Sequence, residues 1–232
     1  MTSIQVRATT VLWDIDGTLV NSGGVAAQAF LDAVAEVTGL RPSPERRDYG
    51  GRLDSEIADM LLAAVGTASD QVADVLTALE RLVAGRLHEL RAQTRICPGI
   101  DGLLVYLAKA GVRQTVVTGN VAAVARYKLE AGALIPPIEP EFGGYGDSAP
   151  DRAAVVQVAL DRLAAAGWQP DLSQVWIVGD TLRDLACAQA IGVRCALVAT
   201  GRRAIGELAG RGADIVLPDL SDPRPLLDLW QL

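Results

Sequence analysis

The second half of the chain sets the tightest constraint on the fold, because short apolar runs alternate there with stretches of helical spacing. Residues 114–118, 175–178, 195–198 and 214–217 are mostly β-branched or apolar and read as strands. Between and after them, residues 101–110, 121–131, 151–166, 182–191, 204–209 and 225–232 carry helical spacing. One further strand, residues 9–15, stands alone near the start and runs into Asp14 and the turn Asp16-Gly17-Thr18. Strands that alternate with helices imply a parallel sheet covered on both faces, with right-handed crossovers.

Residues 22–93 break this alternation. Val25, Ala29, Ala33 and Val37 share one helical face, and Gly39 is placed to end that helix. Asp54 can cap a second helix, striped by Ile57, Leu61 and Ala64. Thr67-x-x-Asp70 resembles a capping box before a third helix that keeps its spacing from Val72 to Leu90. No strand is expected in this block. The expected fold is therefore α/β: a doubly wound, Rossmann-like parallel sheet with a helical insert after the first strand. The expected division is a core of residues 1–20 and 95–232 and a helical domain of residues 21–94.

In such sheets ligands bind beyond the carboxyl ends of the strands. Those ends carry Asp14 and Asp16; Thr118, Gly119 and Asn120; and Gly179, Asp180 and, one turn later, Asp184. Taken singly, an Asp after a strand is an ordinary turn or cap residue. If the strands are neighbours, three or four carboxylates converge in one crevice, where they repel and are costly to desolvate. A divalent cation resolves that conflict. Oxygen ligands without His or Cys favour Mg²⁺, which keeps waters and leaves room for a substrate phosphate.

Composition removes other chemistries. The chain of 232 residues has one histidine, His88, inside a helical pattern, so catalysis by several histidines is excluded. Lys109 and Lys128 are its only lysines, which makes arginine the default cation. A net charge of −7 disfavours bulk nucleic-acid binding. No uninterrupted apolar stretch is long enough for a membrane span. Residues 1–10 lack the basic and apolar regions of a secretory signal. Cys97, Cys187 and Cys195 fit neither a disulfide framework nor a zinc site, and a reducing, cytoplasmic setting suits them. Oligomeric state is not legible.

The segment Asp14-Ile15-Asp16-Gly17-Thr18-Leu19 resembles the nucleophile motif of the haloacid dehalogenase superfamily. Thr118 after its apolar strand resembles the second motif, and Gly179-Asp180-Thr181-Leu182-Arg183-Asp184 the acidic fourth. The helical insert is similar to the cap that follows the first motif in one branch, phosphoglycolate phosphatase-like members included. The third motif departs: the family usually places a lysine there, whereas Lys128 follows Thr118 too closely and Lys109 precedes it. Arg152 stands at the matching place, with pairing to Asp147 or Asp151 as the plain alternative.

The resemblance implies a phosphatase acting on a small phosphorylated metabolite, phosphoglycolate among the candidates, through an aspartyl-phosphate. Asp14 would be the nucleophile and Asp16 the acid and base. Mg²⁺ would take the Asp14 side chain, the Asp16 carbonyl and Asp180, with Asp184 as ligand or support. Thr118, Gly119, Asn120 and Arg152 would hold the phosphoryl oxygens, and Arg52 in the cap loop could meet a second anionic group of the substrate. A phosphomutase, a haloacid dehalogenase and a non-catalytic phosphometabolite sensor are the alternatives at this point.

Overall fold

A computed structural model describes residues 7–43 and 49–232, so the signal-peptide reading of residues 1–10 lies mostly outside it. Strand β1 (Thr10–Trp13) is buried at every position, as a strand covered on both faces must be. After it come β2 (Val20–Asn21), α1 (Val25–Thr38), α2 (Asp54–Ala64), α3 (Val72–Ala84), α4 (Leu87–Gln93) and β3 (Arg95–Ile96). The alternating half follows as α5 (Ile100–Lys109), β4 (Arg113–Val116), α6 (Ala122–Ala131), α7 (Arg152–Ala165), β5 (Val175–Gly179), α8 (Leu182–Ile191), β6 (Arg194–Val198), α9 (Ile205–Leu208), β7 (Ile215–Leu217) and α10 (Arg224–Trp230).

The main sheet has the order β4-β1-β5-β6-β7, and all its pairs are parallel. Trp13 lies in register with Val116 on one side and Val178 on the other. One face packs Trp13, Trp176 and Trp230 with Leu103, Leu107 and Leu129. The other packs Leu12 and Ile177 with Val156, Leu163 and Leu185. Helices on both faces make the sheet doubly wound, as the alternation requires.

The inserted helices gather a cluster of their own, built on Phe30, Leu61, Leu79 and Leu90. Val121 and Val124 of the α6 region join that cluster, while Ala125 and Leu129 join the sheet's. Helix α6 therefore lies between the two, apolar toward each.

Four local expectations change. A two-residue antiparallel ribbon, Val20 opposite Ile96 and Asn21 opposite Arg95, brackets the helical segment; strands of two residues carry no readable alternation. The expected capping box at Thr67 does not form; a 3₁₀ turn at Ser69–Gln71 leads into α3 instead. The third helix is two helices, because the chain turns at Gly85 and Arg86, where Arg86 N donates to Val83 O at 2.9 Å; glycine weakens a helix interior. Asp54 is the first residue of α2 rather than its cap, and Glu56 instead accepts the Leu53 N–H at 2.9 Å. Among the described residues no helix is long and apolar enough to cross a membrane.

The helical cluster depends on α3. Leu79 is fully buried there, so Leu79→Ala is expected to lower unfolding free energy by about 2–5 kcal/mol, read from the denaturant midpoint. A change below 1 kcal/mol, by the same measure, would mean that α3 does not hold the cluster together.

Candidate active site

Because β1 lies between β4 and β5, the two strand ends that carry the acids and the one that carries Thr118 are neighbours. Asp14 continues β1, with its N–H on Val178 O at 2.9 Å. Val117 N donates to Trp13 O at 2.8 Å and brings Thr118 to the same edge. Asp180 leaves β5 directly, and Asp184 follows in the first turn of α8. One carboxylate oxygen each from Asp14, Asp180 and Asp184 lies within 4.8 Å of the others, and all three residues are buried.

The chain after Asp14 must turn sharply to leave this edge. Gly17 has φ 81°, and a Cβ there would stand 2.6 Å from Asp180 Oδ2. Gly201, beyond β6, presses on the same oxygen, 1.6 Å from where its Cβ would be. Asp180 is thus boxed in by backbone, and its Oδ1 is buried without a hydrogen-bond partner.

Charges in such a place perturb one another. Burial, then the Asp184 charge, pushes Asp14 well above the ordinary carboxylate range. Burial, then Asp14 and Asp184, pushes Asp180 up as well. Asp184 is better served. Its Oδ2 accepts from Thr181 N at 3.0 Å and from Thr181 Oγ at 2.6 Å, closing a capping box at the start of α8. Its Oδ1 accepts from Nη2 of Arg152, which also lies 3.4 Å from Asp14 Oδ1. Arg152 opens α7, with Asp151 as the cap that accepts the Ala154 N–H at 2.8 Å. Its side chain is 10% exposed and spans Asp14 and Asp184, so it pairs with these acids and not with Asp147 or Asp151.

Asp16 faces a different set. Its Oδ2 accepts from Lys128 Nζ at 2.5 Å and from Asn120 Nδ2 at 3.1 Å. Lys128 Nζ also donates to Asn120 Oδ1 at 2.6 Å. Both polar ends of Asn120 are therefore engaged inside the site. Thr118 is buried, and its Oγ accepts the Asn120 N–H at 3.3 Å.

The loop of residues 49–54 closes onto this edge through its backbone. A Cβ on Gly119 would sit 1.9 Å from Arg52 O, so only glycine permits the approach. Asp54 N donates to Gly119 O at 2.7 Å, and Val121 N donates to Asp54 Oδ2 at 2.8 Å. Farther along, Arg183 Nη1 donates to Gly50 O at 2.6 Å. Burial drives Asp54 up to about 7, against the pull of the Lys128 charge. Between this loop, α1, α2 and the strand ends lies a cavity of about 750 Å³. Asp14, Asp16, Arg152 and Asp180 line its floor, and Arg52 stands in its wall. His88 is exposed on α4 and is not among the lining residues. The thiols of Cys97 and Cys187 are pushed up to about 11 by burial, which leaves them inert at neutral pH.

Two residues of this site escape the sequence reading: Lys128 and Asp54. A signal for the first is present. Val121, Val124, Ala125, Lys128 and Leu129 follow helical spacing, and a lysine on an apolar stripe asks for a partner. Asp54 gives no such signal, since an acid at a helix start is ordinary.

Comparison with known proteins agrees with the geometry. Residues 11–198 match the family described as haloacid dehalogenase-like hydrolase. A phosphoglycolate phosphatase of Rhodospirillum rubrum is 32% identical over 200 residues, covering 82% of this chain and 79% of the relative. A plasmid-borne phosphoglycolate phosphatase of Cupriavidus necator is 26% identical over 227 residues, covering 95% and 93%. The crystal structure of CbbY from Rhodobacter sphaeroides in complex with phosphate has the same fold, with a TM-score of 0.73 at 20% identity over 93% of this chain and 96% of that one. With carboxylates brought together at the ends of β1 and β5 and the match extending over most of its length, the chain belongs to the haloacid dehalogenase-like hydrolases.

Proposed function

We propose that the protein is a Mg²⁺-dependent phosphatase that hydrolyses a small phosphomonoester through an aspartyl-phosphate on Asp14. The observation that carries this reading is the buried triad Asp14, Asp180 and Asp184, of which Asp14 and Asp180 line one cavity with Asp16, Arg152 and Lys128. Asp16 with its two donors, and the acids beyond Asp14, favour phosphoryl chemistry over dehalogenation, which needs neither.

The donor set fits a hard divalent cation. It is all oxygen, it is desolvated, and the buried Asp180 Oδ1 has no partner. The Asp14 and Asp180 side chains and the Asp16 carbonyl would hold Mg²⁺. Asp184, whose oxygens serve Thr181 and Arg152, would support them. Bound there, the cation supplies charge that lets an anionic carboxylate approach an anionic phosphate.

The chain's own residues do the rest. An Asp14 carboxylate oxygen attacks phosphorus, the bond from phosphorus to the ester oxygen breaks, and Asp16 gives that oxygen a proton. Water then attacks phosphorus while Asp16 takes its proton; the bond to Asp14 breaks and inorganic phosphate leaves. Arg152, Thr118 and the Gly119 N–H would steady the phosphoryl oxygens. The helical segment of residues 21–94 acts as a cap that excludes bulk water, and Arg52 meets an anionic group on the leaving half. Phosphoglycolate is the first substrate to try, because the curated relatives carry that name. The cavity of about 750 Å³ also has room for larger leaving groups. Three free, buried cysteines suit a reducing, cytoplasmic setting.

Asp14→Asn is expected to abolish hydrolysis of p-nitrophenyl phosphate and phosphoglycolate while the protein stays folded, because an amide cannot attack phosphorus. Unchanged kcat in that variant removes Asp14 from the role of nucleophile. Arg152→Ala should lower kcat/KM at least about tenfold, as loss of a charge-stabilising donor does; wild-type kinetics would mean that Arg152 only packs the acids.

A third expectation concerns stability. The folded-state affinities of Asp14, Asp54 and Asp180 for a proton are all raised, Asp54 to about 7. Their contribution is thus fully present below the unfolded value, about 3.9, and is lost as pH rises through the folded values. Metal-free protein should lose Tm between about pH 5 and about pH 8. Mg²⁺ should restore more of it at the higher pH, since ionised Asp14 and Asp180 then bind. Equal Tm with Mg²⁺ and with chelator at about pH 8 would speak against a cation site.

A further inference from the structure

Lys128 calls for an explanation that Arg152 does not supply. Of the two lysines in the sequence, Lys109 is exposed on α5 and Lys128 is 4% exposed on α6. Burying an ammonium group is costly unless partners replace its water. The partners here are specific. Nζ lies 2.5 Å from Asp16 Oδ2 and 2.6 Å from Asn120 Oδ1, and Asn120 Nδ2 closes the triangle 3.1 Å from the same Asp16 oxygen.

Arg152 already pairs with Asp184 and reaches Asp14. Lys128 answers a different acid, and two donors converge on a single oxygen of it. A carboxylate gripped in that way has its rotation fixed, whereas the Asp16 side chain is 44% exposed and would otherwise turn freely. The helix that delivers Lys128 is itself anchored at its start, where Asp54 Oδ2 accepts the N–H of Val121. Seven residues on, the chain is two helical turns into a segment packed on both sides, so Nζ has little freedom either.

We propose that Lys128 is a positioning residue: together with Asn120 it fixes the Asp16 carboxyl in the orientation from which Asp16 gives a proton to the leaving-group oxygen and takes one from water. This inference rests on the phosphatase reading above. In the first half-reaction the proton leaves the second Asp16 oxygen, Oδ1, as the bond from phosphorus to the ester oxygen breaks. In the second half Oδ1 receives a proton from the attacking water. Lys128 keeps its own protons throughout and makes no bond to phosphorus.

The need for Asp16 depends on the leaving group. An alkoxide must be protonated as it departs, whereas p-nitrophenolate departs with little help. kcat/KM for each ester reports the half-reaction in which that oxygen leaves. The test is Lys128→Met, which keeps the length and removes the charge and donors, assayed on p-nitrophenyl phosphate and on phosphoglycolate or another alkyl phosphate that the wild type turns over. We expect kcat/KM to fall about a hundredfold on the alkyl ester and less than about tenfold on the aryl ester, with KM nearly unchanged on both. On the alkyl ester, Lys128→Met added to Asp16→Asn should cost nothing further, because the two residues act as one unit. Equal losses on both esters, a KM that rises on both, or additive losses with Asp16→Asn overturn the assignment. Thermal unfolding checks that the variant folds; if it does not, Asn120→Ala removes the other arm of the triangle and must show the same dependence on leaving group. Wild-type protein that hydrolyses neither ester overturns the phosphatase reading, and this inference with it.

Discussion

Like charges forced together at the ends of β1 and β5 are the constraint on which the rest of the site depends. The parallel order β4-β1-β5 leaves no choice: whatever follows β1 and β5 must meet, and here that is Asp14 with Asp180 and Asp184. Left alone Asp14 and Asp180 would hold protons, as their raised affinities state. The protein supplies two fixed cations, each from a helix beside the strand ends. Arg152 comes from the start of α7 and reaches Asp14 and Asp184 through one nitrogen. Lys128 comes from the middle of α6 and reaches Asp16. The cations divide the acids between them rather than sharing one.

The helical segment is tied to this arrangement by backbone rather than by an apolar seam alone. Gly119 admits Arg52 O to a distance that any side chain would forbid. Asp54 takes the N–H of Val121 at the start of the helix that carries Lys128. A carboxylate at a helix N-terminus is favoured by the helix dipole, and burial raises the cost of breaking the contact. Movement of the loop away from the core would therefore disturb the Thr118–Val121 turn and the root of α6 together. Geometry around Asp16 and closure of the loop are linked through that turn.

Much of this was legible in the sequence, for identifiable reasons. Strands such as Thr10-Val11-Leu12-Trp13 are covered on both faces, so they appear as unbroken apolar runs, and the acids that end them stand out. Helix α8 was expected over residues 182–191 from its helical spacing, and its observed span, Leu182–Ile191, agrees. What was hidden depends on tertiary contact. The ribbon of β2 and β3 is too short to alternate. The turn at Gly85 interrupts a stripe whose apolar spacing continues into α4, so periodicity alone runs straight through it. Asp54 reads as a cap from its position, yet its oxygen is spent on another helix. Lys128 is passed over when it is measured against the expected third-motif lysine, because it follows Thr118 too closely; the apolar stripe around it carried the better signal.

The four acids of the motifs are unequal, and their hydrogen bonds say how. Both oxygens of Asp184 are committed, one to the Thr181 cap and one to Arg152, so its charge is used to build α8 and to hold the guanidinium. Asp16 is half exposed and gripped from one side, which suits a group that must exchange protons with whatever fills the cavity. Asp14 is buried, with a backbone hydrogen bond from Ile15 and a long contact to Arg152 that do not offset its burial. Asp180 is confined by Gly17 and Gly201 and has an oxygen with no partner. Under the proposed function, an arrangement that satisfies Asp184 and steadies Asp16 while leaving Asp14 and Asp180 in want of positive charge makes those two, rather than Asp184, the carboxylates that a cation would bind.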